Sequence, residues 1–230
     1  MKYIYITMMQ LPTITNKYVS FITGFEYTHF SVSFDEKMEK LYSFQVKNKS
    51  IPFVGGFMEE SHASFFHGKN NISLKEKVFK VPVNKVEYQK ILTFIENIKN
   101  DNEYMFNYVS ALLMFLIGGI KSYKSYHCVE FVSNVVNFID NIQLPKEIHK
   151  MHPRDLYIVL NPYLYIERII NSDDFENEND IFNKKIKLNI AIKKSIYSIK
   201  ESICRAILNR ITKNFNYKNI NFYYEDIAEK

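Results

Sequence analysis

The chain has 230 residues, 47% of them hydrophobic and 16% aromatic, which is enough to bury the core of one large domain. Its formal net charge is only +5, and the scattered basic residues argue against a nucleic-acid binder. Its two cysteines lie far apart, which argues against a disulfide framework or a zinc site and suits a reducing cytoplasm.

The chain begins with a predicted strand at residues 2–8, where β-branched and aromatic residues are dense. Gln10, Pro12 and several threonines interrupt the apolar residues before a signal-peptide core can form. Thr13 or Thr15 can cap a short helix that Gly24 ends. We therefore expect a cytoplasmic protein that is not exported by a classical signal.

The next predicted element is a hairpin at residues 29–46. Apolar and polar residues alternate over 29–34, which is the period of a half-buried strand. His29 begins this strand, on the face opposite Phe30, Val32 and Phe34. Residues 35–40 form a polar turn, and residues 41–46 return as the second arm.

The middle of the chain changes from strands to helices. Pro52, Gly55 and Gly56 act as breakers and predict a loop around residues 48–60. A strand is predicted at 77–83, followed by helices at about 84–100 and 108–116. The apolar run at 109–120 is too short to span a bilayer, so we interpret it as a buried helix.

Cys128 lies at the start of another predicted helix. Apolar residues follow it with the spacing of one helical stripe: Val129, Val132, Val135, Val136 and Ile139. The free N–H groups and partial positive charge of a helix N-terminus favour the thiolate, the nucleophilic form of cysteine. A packed, inert thiol is also compatible with this position and is the more frequent case on position alone, because cysteine is often buried.

A nucleophilic cysteine needs a base, for which histidine is suited. His127 is adjacent to Cys128 and points in a different direction on a helix. His62 and His67 fall in a loop-like region, and a turn before a further helix contains His149 and His152. His29 differs because it opens a strand, although a half-exposed strand histidine is the simpler interpretation.

A histidine strand combined with a cysteine helix is the papain-like arrangement, here in reversed order. The segments TGFEYTHFSVSFD, LYSFQVK, PFVGGFMEE and YHCVEFVSNVV resemble circularly permuted papain-fold proteins of the NlpC-type superfamily. HCVEFV is also similar to the NCEHFV motif of lecithin retinol acyltransferase and its relatives. The resemblance runs from about residue 3 to residue 157. It implies an α+β fold, in which a small antiparallel sheet packs on helices, with a C-terminal helical extension.

The resemblance also implies roles for individual residues. Cys128 matches the family nucleophile and His29 the family base. The third, polar position falls on the strand after the histidine, where Ser43 stands, and Glu60 in the following loop is another candidate. Glu130 matches a polar residue just after the cysteine, and on a helix it points away from the thiol and caps or pairs locally.

The implied activity is acyl transfer through a thiolate, with the oxyanion held by the backbone N–H of Cys128 and one other donor. The expected substrates are peptide-like amides, other amides or lipid esters, with no metal or organic cofactor. Two alternatives stay open. One is a lipid-directed acyltransferase or phospholipase at a membrane surface, and the other is a non-catalytic binding protein that retains the fold.

The C-terminal part differs in character, so we expect the papain-like domain at 1–165 and an extension at 166–230. Residues 171–180 form an acidic, polar linker. An amphipathic helix with a basic polar face follows, predicted by its isoleucines: Ile192, Ile196, Ile199, Ile203, Ile207 and Ile211. We expect this helix to pack on the domain or on a second subunit, with peripheral membrane contact as the alternative. Cys204 lies near the apolar stripe and is expected to be a packed thiol.

Overall fold

A computed structural model describes residues 1–11, 20, 21, 24–48, 51, 53–66, 71–175 and 186–211. Residues 13–19, 22 and 23 of the helix predicted at 13–24, residues 176–180 of the polar linker and His67 lie outside the described residues. Strands and helices are mixed along the described chain, and the main sheet has six strands. The predicted α+β class is therefore confirmed.

The main sheet is antiparallel throughout. Its strands are β1 (Lys2–Met9), β2 (His29–Ser33), β3 (Leu41–Val46), β4 (Gly55–Glu60), β5 (Ser73–Val83) and β8 (Leu164–Asn171). Their order across the sheet is β4-β3-β2-β1-β5-β8. The two-residue strands β6 (Met105–Phe106) and β7 (Ser125–Tyr126) pair separately, in parallel. The domain boundary expected at residue 165 falls inside β8, so the sheet continues to residue 171.

The helices from residue 85 onwards follow the predicted order, whereas the helix at His62–Phe66 lies where a loop was expected. The helices are α1 (His62–Phe66), α2 (Lys85–Lys99), α3 (Tyr108–Ile117), α4 (Cys128–Val136), α5 (Pro153–Leu160) and α6 (Leu188–Ile211). Asn84 begins α2 as an N-cap, because its side chain accepts hydrogen bonds from the backbone N–H groups of Val86 and Glu87. Within the described part of the chain, no helix has the length and apolar character needed to cross a bilayer.

Residues 55–60 form a strand and not the predicted loop. Gly55 and Gly56 were expected to break the chain there, yet both pair with β3. A Cβ atom on Gly55 would lie 2.6 Å from the carbonyl oxygen of Gln45 and 2.7 Å from the hydroxyl of Tyr108. Glycine at this position therefore permits a close approach of neighbouring groups, which is a role inside a sheet.

The sheet is buried on both faces. One face packs on α2, α4 and α5 in the larger core, which includes Ile6, Phe30, Val32, Phe44, Phe131 and Val132. The other face is covered by α1 and by Met38 in a second cluster that includes Tyr5, Met9, Leu41, Phe65 and Val78. All five residues of β2 are consequently buried, and the prediction of a half-buried strand was wrong. The reason is that α1 covers the face that carries His29.

Candidate active site

Polar side chains from three neighbouring strands lie on one face of the sheet. Residues directly opposite each other in antiparallel strands share a face, and so do alternate residues along a strand. Val32 pairs with Tyr42, and Leu41 pairs with Glu60. The face opposite Val32 therefore carries the polar residues His29, Ser31, Ser43 and Glu60.

His29 and Glu60 form a buried pair on this face. The Nε2 atom of the His29 ring lies 3.0 Å from Oε2 of Glu60, and their side chains are 5% and 0% exposed. The Ser31 hydroxyl donates to Oε2 of Glu60 at 3.4 Å and lies 3.2 Å from Nε2 of His29. The edge of Phe65 on α1 packs against the imidazole, with ring centroids 5.2 Å apart. The ring is thus fixed in position by one carboxylate, one hydroxyl and one aromatic side chain.

Ser43 contacts the Glu60 carboxylate, which in turn contacts the imidazole of His29. Its hydroxyl donates to Oε1 of Glu60 at 2.5 Å, the short distance typical of a hydrogen bond to a charged oxygen. Of the two candidates for the third position, Glu60 is therefore the one that contacts His29 directly. Ser43 holds the second oxygen of Glu60, so both candidates belong to the same hydrogen-bonded chain.

Cys128 approaches this group from the other side of the sheet. Its helix α4 packs on the larger core, where Val129, Val132 and Val135 are buried as their spacing predicts. The Sγ atom of Cys128 donates to the carbonyl oxygen of Thr28 at 3.5 Å, immediately before β2 begins. The Cys128 thiol is partly exposed, whereas the His29 ring is buried. Cys128 is therefore the most exposed residue of the candidate site, because the four polar residues of the sheet are buried.

The charge on His29 is set by its two neighbours. Burial on its own lowers the pKa of His29, but the Glu60 carboxylate and a hydrogen bond with the Cys128 side chain raise it to about 10. Because Nε2 is occupied by Glu60, Nδ1 is the ring nitrogen left for the thiol. At neutral pH the ring is an imidazolium, held between a carboxylate and a sulfur atom.

The N-terminus of α4 is fixed by a capping box. His127 is the N-cap, and its Nδ1 accepts a hydrogen bond from the backbone N–H of Glu130. In return, Oε2 of Glu130 accepts from the backbone N–H of His127 and from Nδ2 of Asn107, both at 3.3 Å. Glu130 thus caps locally, as expected, and it also ties the start of α4 to Asn107, the N-cap of α3.

His127 and Glu130 are a neutral pair, although Nε2 and Oε2 lie only 3.6 Å apart. Burial lowers the pKa of His127 to about 3, and His152 adds to this effect. Burial also raises the pKa of Glu130 to about 8, against hydrogen bonds that lower it. Burial is the largest cause for both groups, so each keeps its uncharged form near neutral pH.

These two pKa values affect stability in opposite directions. The raised pKa of Glu130 gives a contribution to folding stability. This contribution is complete below pH 4.5 and is lost as the pH rises through about 8. The lowered pKa of His127 also gives a contribution to folding stability. This contribution is complete above pH 6.5 and is lost as the pH falls towards about 3. The start of α4 is therefore most stable in the mildly acidic to neutral range.

A second buried histidine–carboxylate pair lies on the same face of the sheet. His62 on α1 contacts Oε1 of Glu76 at 2.7 Å, and Arg168 on β8 donates to Oε2 at 2.6 Å. Sequence reasoning missed this group because His62 was assigned to a loop and Glu76 preceded the predicted strand. Arg168 contacts the oxygen of Glu76 that His62 leaves free, as Ser43 contacts the second oxygen of Glu60. Among the described residues, no group of three His, Cys, Asp or Glu side chains is arranged to hold a metal ion.

Comparison of the chain with protein-family models, with curated proteins and with solved structures gives no match. The geometry of the described residues is therefore what supports a function.

Proposed function

We propose that the protein is a thiol hydrolase of amide or ester bonds with a permuted papain-like fold. Cys128 is the nucleophile, His29 the base and Glu60 the residue that orients His29. The observation that carries the proposal is the position of the His29 ring, bonded through Nε2 to a buried carboxylate, beside a cysteine whose Sγ contacts the carbonyl oxygen of Thr28, the residue before His29. Nucleophile, base and orienting group in contact are what covalent catalysis requires.

The reaction follows from this arrangement. The reacting form is the pair in which His29 holds the proton and Cys128 is a thiolate, and this thiolate attacks the carbonyl carbon, which forms a C–S bond and a negatively charged oxygen. That oxygen is positioned to accept from the backbone N–H of Cys128 at the start of α4. His29 then protonates the leaving amine or alcohol as the C–N or C–O bond breaks. A water molecule, deprotonated by His29, releases the acid and restores the thiolate.

Glu60 acts on His29 throughout this cycle. It holds the ring by Nε2, so that Nδ1 faces the thiol, and its charge stabilises the imidazolium that forms. Ser31 and Ser43 hold the two oxygens of Glu60 in place. A carboxylate that is buried and bonded on both oxygens cannot rotate away without losing these partners.

The test compares the alkylation of Cys128 by iodoacetamide across pH in a Cys204→Ser background. An ordinary thiol, with a pKa of about 8.5, is about 1% thiolate at pH 6.5, so its alkylation there is slow. We expect fast alkylation of Cys128 at pH 6.5 and a loss of about 10- to 100-fold in His29→Ala. A panel of peptide amides and acyl esters, with Cys128→Ala as the inactive control, then defines the substrate.

The opposite results contradict the proposal. An alkylation profile like that of a free thiol and unaffected by His29→Ala would leave a binding protein that retains the fold. Activity in the panel that survives Cys128→Ala would place the chemistry elsewhere.

A lipid-directed acyltransferase or phospholipase is the second candidate. It is favoured by the exposed isoleucines of α6. Preference for acyl esters over peptide amides in the same panel separates it from an amidase.

A further inference from the structure

The helix α6 packs on the domain through its small residues. The buried residues of this helix are Ala191, Ser198, Ser202, Arg205 and Ala206. Arg205 anchors it, because its Nη1 donates to the carbonyl oxygen of Glu103 at 2.7 Å and its Nε donates to Glu201 at 2.8 Å. The expected packing of this helix on the domain is therefore present, but it is made by these small residues and Arg205, whereas Ile192, Ile196, Ile203 and Ile207 are exposed.

The large apolar side chains of α6 face solvent. We call five of them the isoleucine stripe: Leu188, Ile192, Ile196, Ile203 and Ile207. Their exposures run from 44% at Ile203 to 76% at Leu188. At 100° per residue they fall within about 100° of the helix surface, centred roughly a third of a turn from Ala191, Ser198 and Ser202, and Ala206 lies at the edge of the same arc. Soluble proteins seldom expose a continuous apolar surface of this kind without a partner for it.

The charges beside the isoleucine stripe are positive. Lys193 and Lys200 are exposed and lie within about 40° of one edge of the stripe, and Lys194 is exposed elsewhere on the same helix. Glu201 is the one carboxylate between residues 186 and 211, and Arg205 pairs with it at 2.8 Å. A second copy of this helix would bring lysines towards lysines, with no carboxylate to pair with them. An anionic surface would instead neutralise them.

We propose that the isoleucine stripe of α6 docks on the surface of an anionic lipid membrane. An amphipathic helix with an apolar face flanked by lysines binds in the interface plane, with the apolar side chains in the headgroup boundary. Between Leu188 and Ile207 the stripe is about 28 Å long, which is enough for several side chains to insert together. The inference does not depend on the chemistry proposed for Cys128.

The experiment is vesicle flotation of the full chain. Vesicles of phosphatidylcholine with an equal part of phosphatidylglycerol are compared with pure phosphatidylcholine, at low and high salt. We expect flotation with the anionic vesicles, reduced by salt because the lysine contribution is screened. Ile196→Ser with Ile203→Ser should reduce the bound fraction by at least about tenfold, because both side chains lose apolar burial.

The chain offers a matched control. Ile158 on α5 and Ile196 on α6 are both helical isoleucines with 61% exposure. Ile158→Ser should float like the unmodified chain, and so should Cys128→Ala. Thermal melts of all variants show that they are folded.

Three results would overturn the proposal. The first is no flotation with either vesicle, and the second is equal, salt-independent binding to both. The third is a dimer, seen by light scattering, that the Ile196 and Ile203 substitutions dissociate while vesicles bind nothing, because a second copy is then the partner.

Discussion

Replacing Glu60 with Gln removes the charge behind His29 and changes little else. The Glu60 side chain is fully buried, so its replacement must fit the same space, and glutamine has nearly the same shape. The amide oxygen can still accept from Nε2 of His29. What is lost is the negative charge 3.0 Å from the ring.

The size of the effect follows from the causes of the His29 pKa. Burial lowers this pKa, and Glu60 and Cys128 raise it to about 10. Without the carboxylate, the lowering effect of burial is no longer offset by Glu60. We therefore expect the pKa of His29 to fall to its ordinary value of 6.5 or below. A fall from about 10 to 6.5 corresponds to a loss of roughly 5 kcal/mol in the stabilisation of the imidazolium.

Two measurements follow the change in a Cys204→Ser background. An NMR titration of the His29 ring protons gives the pKa directly. Alkylation by iodoacetamide reports the thiolate, and we expect its rate at pH 6.5 to fall by about 10- to 100-fold while the rate at high pH changes little. Stability gives a third readout. The contribution of His29 is complete below pH 6.5 and is lost as the pH rises through about 10, so the loss in Glu60→Gln should be largest at low pH.

Glu76→Gln is the matched control. Glu76 is as buried as Glu60, and its partner His62 has the same side-chain exposure as His29. The substitution also removes the partner of Arg168, so it is expected to destabilise the fold. It should nevertheless leave the alkylation profile of Cys128 unchanged. The reasoning is refuted if the pKa of His29 stays above 8 in Glu60→Gln, or if Glu76→Gln slows alkylation equally.

Three further substitutions test other parts of the structure. Glu130→Gln replaces a buried, protonated carboxyl with a neutral amide, so the drop in melting temperature between pH 6 and pH 9 should be smaller than in the unmodified chain; an unchanged drop contradicts the assignment. Gly55→Ala places a Cβ 2.6 Å from the carbonyl oxygen of Gln45, and urea unfolding should show a loss of roughly 1–3 kcal/mol. Arg205→Met keeps an apolar stem but loses the hydrogen bond to the carbonyl oxygen of Glu103, so limited proteolysis should cleave α6 sooner than in the unmodified chain. An equal cleavage rate would show that the small residues alone hold α6 on the domain.

Local patterns predicted most of the elements. The alternation at 29–34, the helical spacing after Cys128 and the run at 84–100 each became the expected element. These signals succeed because one apolar face per element is required by the larger core. The strand at 55–60 was missed because glycines are read as breakers, whereas Gly55 permits a close contact with the hydroxyl of Tyr108, which is remote in sequence.

Periodicity also leaves open which face of an element meets its neighbour. The isoleucines of α6 lie on one side as predicted, yet the domain contacts the small residues and Arg205, whose partners are backbone carbonyls of another segment. The same holds for the candidate site. The resemblance to permuted papain-fold proteins suggested Cys128, His29, Ser43 and Glu60, and the structure brings all four together. The direct contact of Glu60 with His29 depends on the register of β2, β3 and β4, which no local pattern specifies.

The spacing of these four residues along the chain has a consequence for how the protein is made. His29 and Glu60 are 31 residues apart, and Ser43 lies between them on the intervening strand. Cys128 reaches its contact at Thr28 across 100 residues. The acid–base half can therefore assemble early in synthesis from neighbouring strands, since contacts of short separation form first. Cys128 can approach His29 only after α4 has docked on the sheet, so a nascent or partly folded chain lacks the complete candidate site.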